Sequence, residues 1–321
     1  MPDDATLGAS FRSVGLLLVL LTAIISGIST FVNAYAVHGT SSDAFVTVRN
    51  LAVAGLILPL AVLARRSFVA PLRRVDWARL LAIGVVGGGI PFLLFFHGLA
   101  LASAAGGGLT ASFLYRTLFL MATVFGVVFL KEHFHPRVAL AAGLLLGGNY
   151  LLLSLTAPVW TDGTLYVLAA TVLWAVEYTI SKRTLRDLPS GLVAFGRMGI
   201  GAAFLVGYLA FTSQLGAVGA LSTGQWTWVL ISAVLLAAFV GTWYAGLRRV
   251  DLGVATSVLV LGFPVTWLLS VLVAGSSFTP AQAAGAAAVV GGVVVVVGLT
   301  LLRQTWTVVA RRVRVGLGRA A

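Results

Sequence analysis

The stretch DAFVTVRNLAVAG (residues 43–55) places one arginine, Arg49, inside a run that is otherwise apolar. A second stretch, LVAFGRMGIGAAF (192–204), does the same with Arg197, which lies 148 residues after Arg49. A permanent charge in an apolar run is costly, so its recurrence in a similar setting indicates a repeated structural unit. The two stretches therefore predict that the chain contains two copies of one helical arrangement.

The composition identifies the class of protein in which such runs occur. Of the 321 residues, 60% are apolar and 9% are charged, and the mean hydropathy is +1.04. A soluble domain carries about a quarter charged residues, so we predict an all-α integral membrane protein. The chain has no cysteine, which excludes disulfides and thiolate chemistry. Its net charge of +12 does not indicate nucleic-acid binding, because no segment is long and polar enough to form a basic soluble domain.

Ten runs are long enough to cross the membrane as helices, since about 20 apolar residues span 30 Å of hydrocarbon. They are twice as long as barrel strands and show no alternation of polarity. The first run exceeds the length of a signal-peptide core, so we expect it to remain as a membrane helix. The approximate ranges are 14–37, 43–64, 78–97, 108–130, 137–156, 163–181, 190–212, 226–247, 252–274 and 280–301.

Basic residues orient the predicted spans. Eighteen of the 21 lysines and arginines lie at the two ends of the chain or in alternate connections, such as those that hold Arg65, Lys131 and Arg248. The five other connections hold none. The positive-inside rule therefore predicts that both termini are cytoplasmic, with the protein in the cell membrane. We also expect the basic tail to lie on anionic membrane lipids.

A shift of 148 residues also aligns FFHGLALASAA (95–105) with WYAGLRRVDLGVA (243–255), so five spans separate the two copies. An odd number of spans inverts the second copy relative to the first, as in many secondary transporters. The predicted organisation has five parts: a cytoplasmic N-terminus (1–13), a first five-helix repeat (14–156), an external connection (157–162), a second repeat (163–302) and a basic cytoplasmic tail (303–321).

The chain resembles the EamA repeats of the drug/metabolite transporter superfamily from about residue 14 to residue 301. The resemblance rests on the arginine of each second helix, the two aromatic-x-Gly-Leu segments, Glu132 in FLKEHF, the glycine-rich fifth helices and Pro264 in LGFPVTW. The sequence departs from the pattern at Ser276, where the acidic residue does not recur, and at AAGGG (104–108), which resembles an insertion. The resemblance implies a carrier with a central substrate cavity that works by alternating access, and it favours export over import.

Other function classes are less well supported. A membrane enzyme or carrier acting on lipid headgroups needs several acidic or histidine residues at one face. The sequence offers only Glu132, His133 and His135, whose spacing is typical of a polar turn and not of a metal site. A channel needs polar residues through several spans, and these spans are too apolar. No nucleotide-binding motif is present. We therefore predict a non-enzymatic, gradient-driven or exchanging transporter of small polar or amphipathic metabolites, with no cofactor.

Three arginines fall inside predicted spans. Arg49 and Arg197 each lie roughly 10 Å from opposite membrane surfaces by helical rise. Each has a structural interpretation, by snorkelling or ion pairing, and a functional one, as a gate on the substrate path. Arg116 lies about 12 Å deep, near the midplane, where snorkelling is hardest. It is predicted to bind a substrate carboxylate, unless backbone carbonyls freed at Pro91 or Pro264 satisfy it instead.

Glu177 is the only carboxylate well inside a span, and it also has two interpretations. One is an ion pair with Arg197; the other is a proton-coupling carboxylate, which would make protons a second transported partner. Aromatic residues of the spans complete the predicted substrate site around Arg116. They are Tyr115, Trp174, Tyr178, Trp243 and Tyr244.

Glycine and proline residues inside the spans predict where helices approach or bend. Gly84 with Gly88, and Gly143 with Gly147, have the Gly-xxx-Gly spacing that allows close helix contact. A proline inside a span frees backbone carbonyls, which must then face protein or cavity water. Pro264 is accordingly predicted to act in gating, together with Arg49, Glu177 and Arg197.

Overall fold

The computed structural model describes residues 4–36, 41–67, 71–133 and 136–298. Within these ranges the chain is helical and holds no strand, in agreement with the predicted all-α class. We number ten helical elements and leave the single turn Gly216–Gly219 unnumbered. They are α1 (Asp4–Ala36), α2 (Ser42–Ser67), α3 (Arg74–Ala104), α4 (Gly108–Leu130), α5 (Pro136–Leu152), α6 (Asp162–Thr184), α7 (Ser190–Phe211), α8 (Thr223–Leu247), α9 (Leu252–Leu272) and α10 (Pro280–Val297).

In the part of the chain that the structure describes, nine helical elements are long and apolar enough to cross a membrane, so this is a multi-pass membrane protein. The one predicted span that is not among these nine is the fifth, which corresponds to α5. Its 17 residues measure about 25 Å by helical rise. Its predicted range was too long, because the helix ends at Leu152 and Ser154 has a left-handed φ of 51°. The end of the last predicted span and the basic tail lie outside the described residues.

Side-chain caps fix the starts of several helices. Ser222 and Gln225 form a reciprocal capping box at the start of α8, and Thr279 and Gln282 do the same at α10. Each pair satisfies backbone N–H groups that a helix terminus leaves without partners. These polar residues therefore set the ends of two spans whose interiors are apolar.

The first five helices pack against the last five in matching pairs. α1 lies against α8, and α3 lies against α6. These two contacts are equivalent, because α1 corresponds to α6 and α3 corresponds to α8 in the two sets of five helices. The remaining pairs join equivalent helices: α2 with α7, α4 with α9, and α5 with α10. Two copies of one five-helix unit produce this pattern. Arg49 on α2 and Arg197 on α7 therefore occupy equivalent positions.

Helices α3 and α7 cross where only glycine fits. A Cβ on Gly88 would lie 2.0 Å from the carbonyl oxygen of Arg197, and a Cβ on Gly84 would lie 2.5 Å from the Cβ of Ile200. The close approach predicted for Gly84 and Gly88 is confirmed. The backbone contact brings the centres of the two repeats together.

The prediction for the second glycine pair was wrong. A Cβ on Gly143 or Gly147 would meet no atom within 4 Å, so these two glycines face away from the neighbouring helices. The contact between α5 and α10 uses Gly148 instead, whose Cβ would lie 2.7 Å from the carbonyl oxygen of Gly285. Spacing alone does not determine which face of a uniformly apolar helix packs.

Replacement of Gly88 by alanine should destabilise the protein strongly, because the new methyl group would overlap the backbone of α7. Overpacking typically costs about 1–3 kcal/mol, and backbone atoms cannot yield as a flexible side chain can. The matched control is Gly147→Ala, which has open space and should leave thermal unfolding unchanged or slightly raised. Equal melting temperatures for the two variants in detergent would contradict the observed crossing.

Four membrane elements are interrupted near their middles. α3 contains the π-helical segment Gly84–Gly89, and α7 contains the segment Gly196–Ile200. α4 is broken at Thr117, between Arg116 and Leu118. α9 consists of Leu252–Leu259 followed by Gly262–Leu272. Because such breaks release carbonyl groups from the regular helical ladder, they place backbone acceptors in the interior of the bundle.

Candidate substrate and coupling site

Backbone carbonyls of the π-helical segment in α3 form the centre of the site. The indole Nε1 of Trp174 donates a hydrogen bond of 3.1 Å to the carbonyl oxygen of Gly87, and Nε of Arg197 donates one of 3.3 Å to the same oxygen. The amide of Asn50 donates to the neighbouring carbonyl of Gly88 at 3.3 Å. Side chains from both repeats therefore meet on two consecutive residues.

Glu177 lies beside these carbonyls and is fully buried. One of its oxygens, Oε1, accepts a hydrogen bond of 2.6 Å from the hydroxyl of Tyr244 and another from the hydroxyl of Ser181. Gly87 has to be glycine here, since a Cβ would lie 2.3 Å from Cγ of Glu177. The carboxylate is thus fixed by one face of α6 and by α8.

The second oxygen of Glu177 faces Arg197, which is 4% exposed. Oε2 lies 3.7 Å from Nη1 of Arg197, a distance that permits an ion pair but no hydrogen bond. Both atoms are buried and have no hydrogen-bond partner among the described residues. The guanidinium carbon of Arg197 also lies 5.6 Å from the ring centroid of Tyr178. We call Glu177, Tyr178, Ser181, Arg197, Trp243 and Tyr244 the Glu177 cluster.

Arg49 is the counterpart of Arg197 in the first repeat, but its surroundings differ. It is 3% exposed, and its guanidinium carbon lies 5.7, 5.2 and 5.8 Å from the ring centroids of Phe45, Phe92 and Phe96. Its guanidinium donates hydrogen bonds of 3.3 and 3.4 Å to Oδ1 of Asn50. Among the described residues no carboxylate lies within 4 Å of it. Arg49 is therefore a buried charge held by aromatic rings.

Arg116 lies at the break in α4. Its guanidinium carbon stacks 3.5 Å from the ring centroid of Phe263, and its Nη1 donates a hydrogen bond of 2.6 Å to the carbonyl oxygen of Ser112. Its Nε is buried without a hydrogen-bond partner among the described residues. The carbonyl that accepts a hydrogen bond from Arg116 therefore belongs to Ser112. It is not one of the carbonyls freed at Pro91 or Pro264, which were the expected alternative.

Tyr115, next to Arg116, is 37% exposed and contacts the rings of Phe95 and Trp174, with centroid distances of 5.0 and 5.5 Å. We call Phe95, Tyr115, Arg116 and Phe263 the Arg116 cluster. Trp174 joins the two clusters, because its ring contacts Tyr115 while its indole nitrogen bonds to Gly87. The site is therefore continuous from the buried carboxylate to a partly exposed tyrosine.

Packing between α4 and α9 differs on the two sides of their breaks. Leu118–Leu130 packs against Leu252–Leu259, most of which is buried. Beyond the break, Gly262 is the one buried residue of Gly262–Leu272. Pro264 lies in this second part and follows Phe263 directly. The Arg116–Phe263 stack therefore marks the point where the close packing between α4 and α9 ends, while the second half of α9 packs on α1.

The residues predicted for the site lie near one another in the structure, but in different groups from those expected, and their role in binding or coupling stays a prediction. Arg49 and Arg197 were expected near opposite surfaces, and both instead lie buried without snorkelling. Arg197 bonds to the Gly87 carbonyl, and Arg49 bonds to Asn50, whose amide donates to the Gly88 carbonyl. Trp243 and Tyr244 are fully buried, whereas Tyr115 is partly exposed. Sequence reasoning missed contributors that the structure adds: Asn50, Gly87, Ser181 and Phe263. Of these, only Gly87 could have been predicted from the sequence, because it belongs to the glycine-rich run GVVGGG (84–89).

Polar contacts also close one end of the bundle. We call this end the basic face, because one cavity there is lined by the basic side chains of Arg12, Lys131, Lys182, Arg186 and Arg248. Glu132 accepts hydrogen bonds from the backbone N–H groups of Leu252, at 2.7 Å, and Gly253, at 3.3 Å. Nζ of Lys182 donates to the carbonyl oxygens of Leu247, at 2.7 Å, and Val250, at 2.5 Å. The loop between α8 and α9 is therefore fixed by both repeats.

Glu132→Ala should lower the free energy of unfolding by about 2 kcal/mol, because two backbone donors lose a charged acceptor. Glu132→Gln should lose less, since its amide oxygen can still accept from Leu252.

Partial burial raises the pKa of Glu132, so the folded protein holds the charged form less readily than the unfolded chain. The contribution of this group to the free energy of unfolding therefore falls as the pH rises through that pKa. Over the same pH range the stability of Glu132→Gln should increase relative to that of the parent. Thermal unfolding at several pH values checks both the order and the sign.

Comparison with known proteins adds family and fold. A sequence model of the EamA-like transporter family matches residues 13–154 and again residues 161–298. A comparison with curated proteins returns no match. Among solved structures, 29 chains match. One of them, titled only as the crystal structure of a protein, is 22% identical, covers 94% of this chain and 99% of its own, and superposes with a TM-score of 0.71. At that identity the likeness extends to the fold alone.

Proposed function

Because the chain belongs to the EamA-like transporter family, we propose that it is a secondary active transporter that exports small polar or amphipathic metabolites by alternating access. The family consists of transporters, so no catalytic step is assigned to the chain. We further propose ten spans in two inverted repeats, with both termini cytoplasmic and the basic face towards the cytoplasm. The direction, export, rests on the resemblance to drug/metabolite transporters.

The observation that carries this proposal is the buried, incompletely bonded charge pair of Glu177 and Arg197, which contacts the first repeat. Glu177 and Arg197 belong to the second repeat, while the carbonyl that Arg197 bonds belongs to Gly87 of the first. A purely structural ion pair would be expected to close with hydrogen bonds, since unpaired buried polar atoms are destabilising. Oε2 and Nη1 instead face each other at 3.7 Å without a bond. Such a pair can exchange partners with a proton or a substrate group at low cost.

The packing of α4 and α9 supports alternating access. In the proposed orientation, the tightly packed halves of these helices and the Glu132 and Lys182 contacts close the cytoplasmic side. The half of α9 that does not pack closely on α4 lies towards the outside, and Arg116 lies at its inner end. We propose that this conformation faces outward, and that transport requires Glu132 to release the start of α9.

The charges of the site favour a substrate with an anionic group. Two buried arginines, Arg49 and Arg197, and the half-buried Arg116 lie in or beside the site, whereas Glu177 is the one carboxylate placed there among the described residues. Arg49 and Arg116 both lie on aromatic rings without a carboxylate partner in the described structure. An arginine of this kind can bind a carboxylate with two parallel hydrogen bonds. We assign the substrate carboxylate to Arg116, which lies next to the exposed Tyr115.

The substrate class can be tested with purified protein. We expect small carboxylates to raise the melting temperature, because a ligand that binds only the folded state stabilises it in proportion to its concentration. The best stabiliser should then drive counterflow of its labelled form in proteoliposomes. Stabilisation by neutral or cationic metabolites, without an effect of carboxylates, would contradict the proposed substrate class.

The orientation can be tested with single cysteines, since the chain has none of its own. Cysteines at Thr223 and Ser277 should react with an impermeant thiol reagent added outside cells, whereas cysteines at Arg66 and Arg183 should react only after permeabilisation. All four side chains are exposed, at helix ends or in the connection between α9 and α10, so access depends on the side of the membrane. The reverse pattern would overturn the proposed orientation.

A further inference from the structure

The basic face contains a cavity that the transport site does not use. It has a volume of about 480 Å³ and lies where the ends of α1, α4 and α6 meet the loop between α8 and α9. Five basic side chains line it, against the two acidic ones of Glu132 and Asp251. The basic residues are Arg12, Lys131, Lys182, Arg186 and Arg248.

The acidic residues leave most of this positive charge unneutralised. The carboxylate of Glu132 is directed to the backbone N–H groups of Leu252 and Gly253. Lys182 uses its ammonium group on two backbone carbonyls. Arg12, Arg186 and Arg248 form no ion pair within 4 Å with any described residue. A concave surface with an excess of one charge concentrates the potential and attracts an oppositely charged ligand.

The remaining lining shows the shape of the ligand that would fit. Apolar side chains, Phe11, Leu130 and Leu185, share the cavity with the basic groups. Phe11 is itself held in place by the guanidinium of Arg249, whose central carbon lies 5.2 Å from the ring centroid. A phosphate group can bind the arginines with paired hydrogen bonds, while an attached apolar moiety can contact Phe11.

We infer that this cavity binds a phosphate-type anion, with the headgroup of an anionic phospholipid as its source. Basic pockets between membrane helices on the cytoplasmic side recognise such headgroups. A bound headgroup would connect side chains from α1, α4, α6 and the α8–α9 loop, and would thereby hold the basic face in its closed arrangement. The inference concerns regulation by lipid and does not depend on the identity of the transported substrate.

The experiment compares lipid binding by three forms of the delipidated full chain in detergent, using native mass spectrometry and thermal unfolding. The cavity variant is Arg12→Gln/Arg186→Gln/Arg248→Gln. The control variant is Arg66→Gln/Arg74→Gln/Arg183→Gln, which removes the same charge from exposed basic residues that do not line the cavity. The probes are phosphatidylglycerol, phosphatidylcholine and inorganic phosphate.

Phosphatidylglycerol should raise the melting temperature of the parent and of the control variant, and phosphatidylcholine should not. The cavity variant should bind phosphatidylglycerol at least about tenfold more weakly, as the loss of three cationic contacts implies. If inorganic phosphate also protects the parent but not the cavity variant, a free anion suffices; if it has no effect, the lipid is required. Equal binding by the cavity and control variants, or no stabilisation of the parent by either anion, would overturn the inference. Arg248→Gln alone, at an exposed position, should weaken binding about fivefold and serves if the triple variant does not fold.

Discussion

Glu177→Gln should abolish proton-driven transport while leaving the exchange of substrate across the membrane measurable. Glutamine keeps the shape of the side chain and an oxygen that can accept from Tyr244 and Ser181, but it cannot bind and release a proton. Net transport coupled to a proton gradient requires that cycle, whereas exchange of one substrate molecule for another does not. The measurement is uptake of labelled substrate by proteoliposomes, with an imposed pH gradient and, separately, with unlabelled substrate inside.

Two controls separate coupling from a structural ion pair. Ser181→Ala removes one hydrogen bond to the same oxygen without changing the charge, so it should retain coupling and lose about 1 kcal/mol of stability. If Glu177 served only as the partner of Arg197, Glu177→Gln would instead lower the free energy of unfolding by about 3–5 kcal/mol. The neutral double variant Glu177→Gln/Arg197→Gln would then recover the loss. Equal gradient-driven flux in Glu177→Gln and parent would remove Glu177 from the mechanism.

Arg116→Gln should weaken binding of a carboxylate substrate by about 10- to 100-fold, the value of hydrogen bonds to a charged group. The same substitution should change the affinity for the neutral amide analogue of that substrate much less. Arg116→Lys should retain part of the preference for the acid, because lysine keeps the charge but loses the paired geometry. The measurement is the dissociation constant of each ligand for purified protein in detergent.

The matched control for Arg116 is Arg183→Gln, which removes an exposed arginine outside the site and should leave both affinities unchanged. Stacking on Phe263 raises the question of whether Arg116 acts only in packing. In that case Arg116→Gln would weaken the acid and the amide by the same factor, since both would lose the same site geometry. Such an equal loss would contradict the assignment of the substrate carboxylate to Arg116.

The sequence predicted the all-helical membrane fold and its two repeats because uniformly apolar runs determine where helices span, whereas the orientation drawn from loop charges stays a prediction. It also indicated Arg49, Arg116, Arg197 and Glu177 as embedded charges that need polar surroundings, and it offered an ion pair between Glu177 and Arg197. It could not show that Arg197 bonds to the carbonyl of Gly87 while Asn50, the neighbour of Arg49, bonds to that of Gly88. These bonds depend on the π-helical segment Gly84–Gly89, whose altered hydrogen bonding leaves no periodic signal in the sequence.

The asymmetry of the two repeats was equally hidden. The 148-residue shift pairs Tyr244 with Phe96 and Glu177 with Ser29. Arg197 therefore faces a carboxylate and a nearby hydroxyl-bearing ring, while Arg49 faces three phenylalanine rings. These differences arise from single residue differences between two otherwise similar helical units. Their effect on the two arginines can be seen only when the packing of α2, α3 and α6 is known.

Alternating access through α4 is tested most directly by two cysteines on this helix, Ser112→Cys in its outer half and Ala122→Cys in its packed half. Ser112 lies one turn from Arg116, which faces α9, and Ala122 lies one turn from Gly126, beside the start of α9. Without substrate, the cysteine at 112 should react with an impermeant reagent from outside and the cysteine at 122, fully buried in this conformation, should be protected. During transport the cysteine at 122 should become reactive from the cytoplasmic side while that at 112 becomes protected. Simultaneous reaction of both from one side, or no change with substrate, would contradict the account.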